Sequence, residues 1–119
     1  MSNLSEELEQ SLKRLFPHNI LIKEYYVRYM NQRLFFDFYL KDLKILFEVQ
    51  GRQHCEFVKH FHSDINGFRQ SKFRDNLKIQ YAEEQGLSLV YVYFDECLND
   101  DFLLNRISEA LDGRVYNKR

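Results

Sequence analysis

Leu4, Leu8, Leu12 and Leu15 recur at steps of four, four and three, with Glu6, Glu7, Glu9, Lys13 and Arg14 at other positions. That period predicts an amphipathic helix, and Pro17 ends it because proline cannot donate to a continuing helix. The β-branched and aromatic run ILIKEYYVRYM, 20 to 30, predicts a strand, and Asn31-Gln32 a turn into a second strand from Leu34 to Leu40. Lys41-Asp42 turns the chain again into a third strand, Lys44 to Gln50, ending at Gly51. Residues 51 to 63 carry neither period and read as a loop. A helical pattern begins at Ser63 or Asp64 and runs to Gln85, with Gly86 where a left-handed cap glycine is expected. Leu87 to Phe94 is apolar on both faces and is expected to be a central strand. The final helix spans about Asp100 to Leu111, stopped by Gly113.

The order α-β-β-β-α-β-α predicts a meander of three antiparallel strands. The long helix is the right length for a crossover that lays the fourth strand parallel to a neighbour. The expected fold is an α/β (α+β) sandwich of helices on a four-stranded mixed sheet. It forms one domain over residues 1 to 113, with 114 to 119 a short polar tail. A chain of 119 residues that is 45% hydrophobic and 16% aromatic carries enough apolar surface for a core of its own.

Charge narrows the function classes. Seventeen Lys and Arg nearly cancel eighteen Asp and Glu, for a formal charge of −1, which argues against general coating of polyanions. No apolar run reaches the ~18 residues of a membrane span, and the acidic N-terminus is unlike a secretory signal, so a cytoplasmic protein is expected. Cys55 and Cys97 form no CxxC pair, and a disulfide framework is not suggested.

Two carboxylates stand out, because Asp37 and Glu48 lie within FFDFYLKDLKILFEVQ, the vocabulary of two neighbouring strands. Alternation puts Leu34, Phe36, Phe38 and Leu40 on one face of the second strand, and Phe35, Asp37 and Tyr39 on the other. A two-residue turn at Lys41-Asp42 sets Asp37 diagonal to Glu48, and a four-residue turn sets them directly opposite. Parity keeps both on one face, with Gln50 beyond. Two like charges this close repel unless a proton or cation joins them, and hard oxygen ligands favour Mg²⁺ or Mn²⁺ over Zn²⁺. The plainer reading is a solvated face with Lys44 as cross-strand partner. The following helix weighs against that: Ile65, Phe68, Lys72, Asp75, Ile79 and Ala82 form one stripe, apolar at its ends and charged in its middle. The alternative packing face is Phe73, Leu77 and Tyr81. His54, Cys55, His60 and His62 suggest a competing zinc cluster, but their spacings do not fit paired knuckles.

The pattern D-x(10)-E-x-Q-G-x-Q-H (Asp37, Glu48, Gln50, Gly51, Gln53, His54), followed by a helix with R-D-x-x-K (Arg74, Asp75, Lys78), resembles the PD-(D/E)xK nuclease superfamily. Within it, the chain is most similar to small very-short-patch-repair-like endonucleases of phages and mobile introns, over roughly residues 5 to 95. The resemblance implies a restriction-endonuclease-like core with flanking helices, phage or mobile-element origin, and a DNA endonuclease of nicking, branch-resolving or restriction type. It implies that Asp37 and Glu48 hold a catalytic Mg²⁺ or Mn²⁺ with the carbonyl of Val49, and that Glu9 or Glu6 of the first helix completes a second position. Gln50 stands where the superfamily's lysine is usual. Lys72 is the candidate to replace that lysine, with Gln50 and His54 orienting water or phosphate, so that the phosphodiester is hydrolysed by in-line attack with metal assistance. Arg52, Lys59, Arg69, Arg74 and Lys78 flank the site as candidate contacts to the nucleic-acid backbone. The alternative is a catalytically weak nucleic-acid- or partner-binding module. Cutting two strands with one centre requires a second centre or a reorientation. A homodimer would supply the former, and Phe102, Leu103, Ile107 and Leu111 offer an apolar face for it, although packing onto the chain's own sheet is the more ordinary use of that face.

Overall fold

The computed structural model describes residues 3–51 and 65–113. Its elements are α1 (Leu4–Leu15), β1 (Leu21–Tyr29), β2 (Gln32–Leu40), β3 (Ile45–Gln50), α2 (Ile65–Gln85), β4 (Ser88–Tyr93) and α3 (Asp100–Leu111). Side chains that compete for backbone hydrogen bonds mark the helix ends. Asn3 Oδ1 accepts the Glu6 N–H at 2.9 Å, and Asn99 Oδ1 accepts the Phe102 N–H at 2.9 Å. At the end of α2, Gly86 takes φ +69° and the Leu87 N–H donates to the Ala82 carbonyl at 2.9 Å, a Schellman closure that needs the missing Cβ.

The strands form one sheet in the order β1-β2-β3-β4, antiparallel except for the parallel β3–β4 pair joined through α2. This is the expected α+β class with a four-stranded mixed sheet. Among the described residues β4 is an edge strand, not the expected central one. It is apolar on both sides because two cores cover it: Val90 and Val92 pack with α1 and α3, Leu89, Tyr91 and Tyr93 with α2. Two-sided burial and central position leave the same trace in a sequence.

Of the two connections within the meander, the first differs from the expected turn by one residue and the second takes the longer of the two lengths considered. β1 and β2 join through Met30-Asn31, with φ of +51° and +60° and Tyr29 paired to Gln32, the left-handed pair of a tight hairpin. Between β2 and β3 stands a 3₁₀ turn over Lys41–Leu43 followed by Lys44 at φ +57°. Leu40 pairs with Ile45 and Phe38 with Phe47, so the connection has four residues. The two-residue alternative does not form.

The expected single apolar stripe of β2 is split. Phe38 and Leu40 lie in the core beneath α1 and α3, whereas Leu34 and Phe36 lie in the core beneath α2. The β1–β2 ladder skips Glu24 and Asp37, and Glu24 has φ +51°. An irregularity at that facing pair turns both strands over, so that Leu21 and Tyr25 also fall in different cores. The hairpin beyond it leans towards α2.

The final helix packs on its own sheet through Leu103, Ile107 and Ala110, with Phe102 against the same core. The face considered for a dimer is thereby largely used, and Leu104 and Leu111 are what α3 leaves exposed. None of the helices among the described residues is long and apolar enough to cross a membrane.

Candidate active site

The place where β2 turns over is also where it parts from β3. Their ladder runs from Leu40–Ile45 to Phe38–Phe47 and stops. Asp37 and Glu48 come next, facing one another, and their carboxylates take over the backbone bonds that a ladder supplies elsewhere. Asp37 Oδ2 accepts the Val49 N–H at 2.7 Å, and Glu48 Oε1 accepts the Asp37 N–H at 3.3 Å. Two peptide groups that a continuing ladder would have paired are satisfied by the candidate site itself. Asp37 and Glu48 are thus neighbours across the two strands, each carboxylate accepting a backbone N–H of the facing strand.

Around Glu48, β3, β4 and α2 contribute a cluster of buried polar side chains. Glu48, Gln50 and Asp75 are exposed by 3%, 2% and 4%, and Tyr91 is the strand partner of Glu48 on β4. Lys78 reaches in from α2, its Nζ 3.0 Å from Glu48 Oε2 and 5.6 Å from the centre of the Phe36 ring. Burial pushes the Glu48 carboxyl up to about 8; Lys78 pulls it back, while Asp37 and Asp75 push it further up. Burial likewise raises the Tyr91 hydroxyl, with the charges of Glu48 and Asp75 adding to it. Gln50 Nε2 is buried with no hydrogen-bond partner among the described residues, an orphaned donor two residues along the strand from Glu48 and on the same face.

The remaining sequence-predicted residues divide. α2 packs through both faces considered: Asp75 and Ala82 of the stripe are buried and Ile79 packs on the core, but so do Leu77 and Tyr81 of the alternative face, and only Phe73 of that face, 54% exposed, stays out. Lys72 is half-buried, its Nζ 5.5 Å from the Phe68 ring centre, and the lysine on Glu48 is Lys78. Lys78 lies three residues after Asp75 and was legible as the next step of that stripe. Glu9 is bound by Lys13 at 2.9 Å and Lys23 at 3.2 Å, and these hydrogen bonds hold its carboxyl below the usual range. Glu6 is exposed at the start of α1. Among the described residues no three His, Cys, Asp or Glu side chains converge as a metal-holding group, so neither Glu9 nor Glu6 completes one with Asp37 and Glu48. Arg69 and Arg74 are exposed on α2. Arg52, His54, Lys59 and the His54, Cys55, His60, His62 set lie outside the described residues.

The hard-oxygen donor set still suits Mg²⁺, which is commonly held by one or two carboxylates and completes its shell with water and substrate phosphate. Asp37 and Glu48 are oxygen donors of that kind and could hold such a cation, with the Val49 carbonyl as the further expected donor. The cation's charge would oppose the rise that burial first, and the Asp37 and Asp75 charges after it, impose on the Glu48 carboxyl. Beside the site the departing hairpin leaves a pocket of about 310 Å³ against α2, lined by Arg33, Leu34, Phe35, Arg74 and Lys78.

Compared with known proteins, the chain is 31% identical over 77 residues, 65% of its length, to Uncharacterized protein 307L of Invertebrate iridescent virus 6. Those residues span 39% of that viral protein. No family model and no solved structure matches.

Proposed function

We propose that this chain is a metal-dependent endonuclease that hydrolyses phosphodiester bonds of DNA, with Asp37 and Glu48 holding Mg²⁺ or Mn²⁺. The observation that carries the reading is the pairing of these two carboxylates across the point where β2 and β3 diverge, with Glu48 buried and its carboxyl raised by burial and by the charges of Asp37 and Asp75. The motif resemblance to PD-(D/E)xK nucleases supports it, including the restriction-endonuclease-like core and a phage or mobile-element origin. When bound, the divalent cation supplies Lewis acidity to the phosphate and to the attacking water. Lys78 fixes the Glu48 carboxylate and brings positive charge to the place where the phosphorane gains negative charge. Gln50 Nε2, the orphaned donor, orients water or a phosphate oxygen. Lys72, about one and two-thirds turns before Lys78 on α2, is the second candidate cation, and Arg69 and Arg74 are candidate contacts to the nucleic-acid backbone.

The test is cleavage of supercoiled, linear, single-stranded and branched DNA with Mg²⁺ or Mn²⁺, comparing the wild type with Asp37→Asn. Metal-dependent cleavage lost in the variant supports the reading. The Lys78–Glu48 ion pair favours a second reading, in which lysine has replaced the metal and the fold serves only to bind; absence of cleavage on every substrate would select it.

A further inference from the structure

The hairpin beyond the turnover carries an exposed face that the active-site reading does not use. Tyr26 pairs with Phe35, and two residues further towards the tip Arg28 pairs with Arg33. Strand alternation places these four side chains on one face, opposite to Tyr25, Val27, Leu34 and Phe36, which pack in the core under α2. Tyr26 is 46% and Phe35 53% exposed, their ring centres 5.1 Å apart. Arg28 and Arg33 are exposed and make no ion pair among the described residues. Like charges directly opposite on a hairpin destabilise it, and exposed aromatic pairs on a sheet face cost solubility. Both features find a compensating use if an anion with flat apolar groups lies on them.

This surface runs into the site. Arg33 and Phe35 also line the pocket whose other wall is Arg74 and Lys78 of α2, and Lys78 touches Glu48. Arg74 in turn lines a second pocket of about 230 Å³ with Gln32, Gln70 and Phe73. Arg33 and Phe35 thus belong both to the exposed face and to the lining of the pocket that Arg74 and Lys78 close from α2.

We propose that the Tyr26/Phe35 and Arg28/Arg33 face binds an unpaired DNA strand leading to or from the scissile phosphate, so that the substrate is a junction of single- and double-stranded DNA. The phosphates lie on Arg28, Arg33 and Arg74, and bases stack on Tyr26 and Phe35. Duplex bases present no free face to a ring, whereas single strands do; a surface meant only for duplex has use for the arginines and none for the rings. The proposal deepens the nuclease reading and rests on it for the position of the cut.

The experiment measures fluorescence anisotropy of a labelled 12-nucleotide oligodeoxythymidine and of a 12-base-pair duplex at equal salt with EDTA, so that cleavage plays no part. Wild type is expected to bind the single strand at least about tenfold more tightly than the duplex. Tyr26→Leu with Phe35→Leu, which keeps apolar bulk on the strand, is expected to lose about tenfold on the single strand and nothing on the duplex. Exchanging the two rings by Tyr26→Phe with Phe35→Tyr is expected to retain binding. Arg28→Gln with Arg33→Gln should weaken both ligands and flatten the salt dependence by about one to two in slope. Equal or tighter binding of the duplex by wild type, or single-strand binding unchanged in the double-leucine variant, overturns the proposal. Cleavage of duplex by a protein indifferent to single strands would sink this inference alone; tight single-strand binding without any cleavage would sink only the nuclease reading.

Discussion

Two buried ionic clusters lie on opposite faces of the sheet beside β4, and they are built differently. On the α3 side Arg106 meets Glu96 through both guanidinium nitrogens. Its Nη1 also donates to the Tyr91 carbonyl at 2.6 Å, and its guanidinium lies 4.4 Å from the Phe102 ring centre. Glu96 Oε1 accepts the Tyr93 N–H at 2.7 Å as well. One cation faces one anion, and both tie the end of β4 to α3. On the α2 side Lys78 is the cation shown on Glu48, while Asp37 and Asp75 both raise the Glu48 carboxyl. The first joins a cation and an anion that also hold backbone groups of β4. In the second, burial and acidic neighbours raise a carboxyl that a lysine pulls back, the arrangement expected of a site rather than of a strut.

The largest expected contrast is in activity. Asp37→Asn and Glu48→Gln are each expected to lower metal-dependent cleavage on the order of 10³-fold, the several kcal/mol of charge stabilisation a metal supplies. Arg106→Leu should leave the chemistry of the remaining folded protein intact. Plasmid nicking at matched folded concentration checks this, and wild-type rates in both acid-site variants would remove the site from consideration.

Stability should respond in the reverse order. Removing Arg106 strands Glu96 and should cost about 3 kcal/mol or more in urea unfolding. At neutral pH, by contrast, Asp37→Asn should leave stability unchanged or higher, since it removes a charge beside Glu48, and Glu48→Gln should leave it nearly unchanged, since Glu48 holds its proton there. A larger loss in Glu48→Gln than in Arg106→Leu would show that Glu48 is the strut.

The pH dependence follows from the same carboxyl. Its value of about 8 in the folded protein lies above the ordinary 4.5, so between these the folded state holds a proton that the unfolded state has released. Stability should therefore fall as pH rises across that interval, by at most about 1.4 kcal/mol per unit, and level off above it. Among the described residues, Lys78, Asp37 and Asp75 are the charged groups that act on it, and Tyr91 is its titratable strand neighbour. Glu48→Gln should flatten the profile; an equally steep profile in that variant would assign the dependence elsewhere.

How far this contrast was legible varied by element. The helices and strands declared themselves because period and caps agree: Leu4 to Leu15, Asn99 before Asp100, and Gly86 after Gln85 all speak locally. The Asp37–Glu48 pairing was legible because parity survives either turn length. The turnover at Glu24 and Asp37 was not, since a glutamate at positive φ leaves no mark in composition and Leu34, Phe36, Phe38 and Leu40 read as one stripe. Lys78 was placed on the nucleic-acid side and Lys72 in the site, because a helical stripe admits two continuations after Asp75 and only packing against Phe36 selects between them. Arg106 and Glu96 carried no pattern at all; their partnership spans the loop after β4.

The smallest predicted effect separates the two lysines. Lys72→Ala should slow cleavage more than Lys13→Ala, whose side chain is 64% exposed and pairs with Glu9, but by less than Lys78→Ala. Equal rates for Lys72→Ala and Lys13→Ala would return Lys72 to the solvated surface.

The central claim, that Asp37 and Glu48 form a divalent-cation site, is tested most directly by isothermal titration of the folded protein with Mn²⁺ at pH 6 and pH 9. The account predicts one site per chain, weak at pH 6 where Glu48 keeps its proton, tighter at pH 9, and lost in both Asp37→Asn and Glu48→Gln. Absence of binding at pH 9, or binding that survives in both variants, would contradict it.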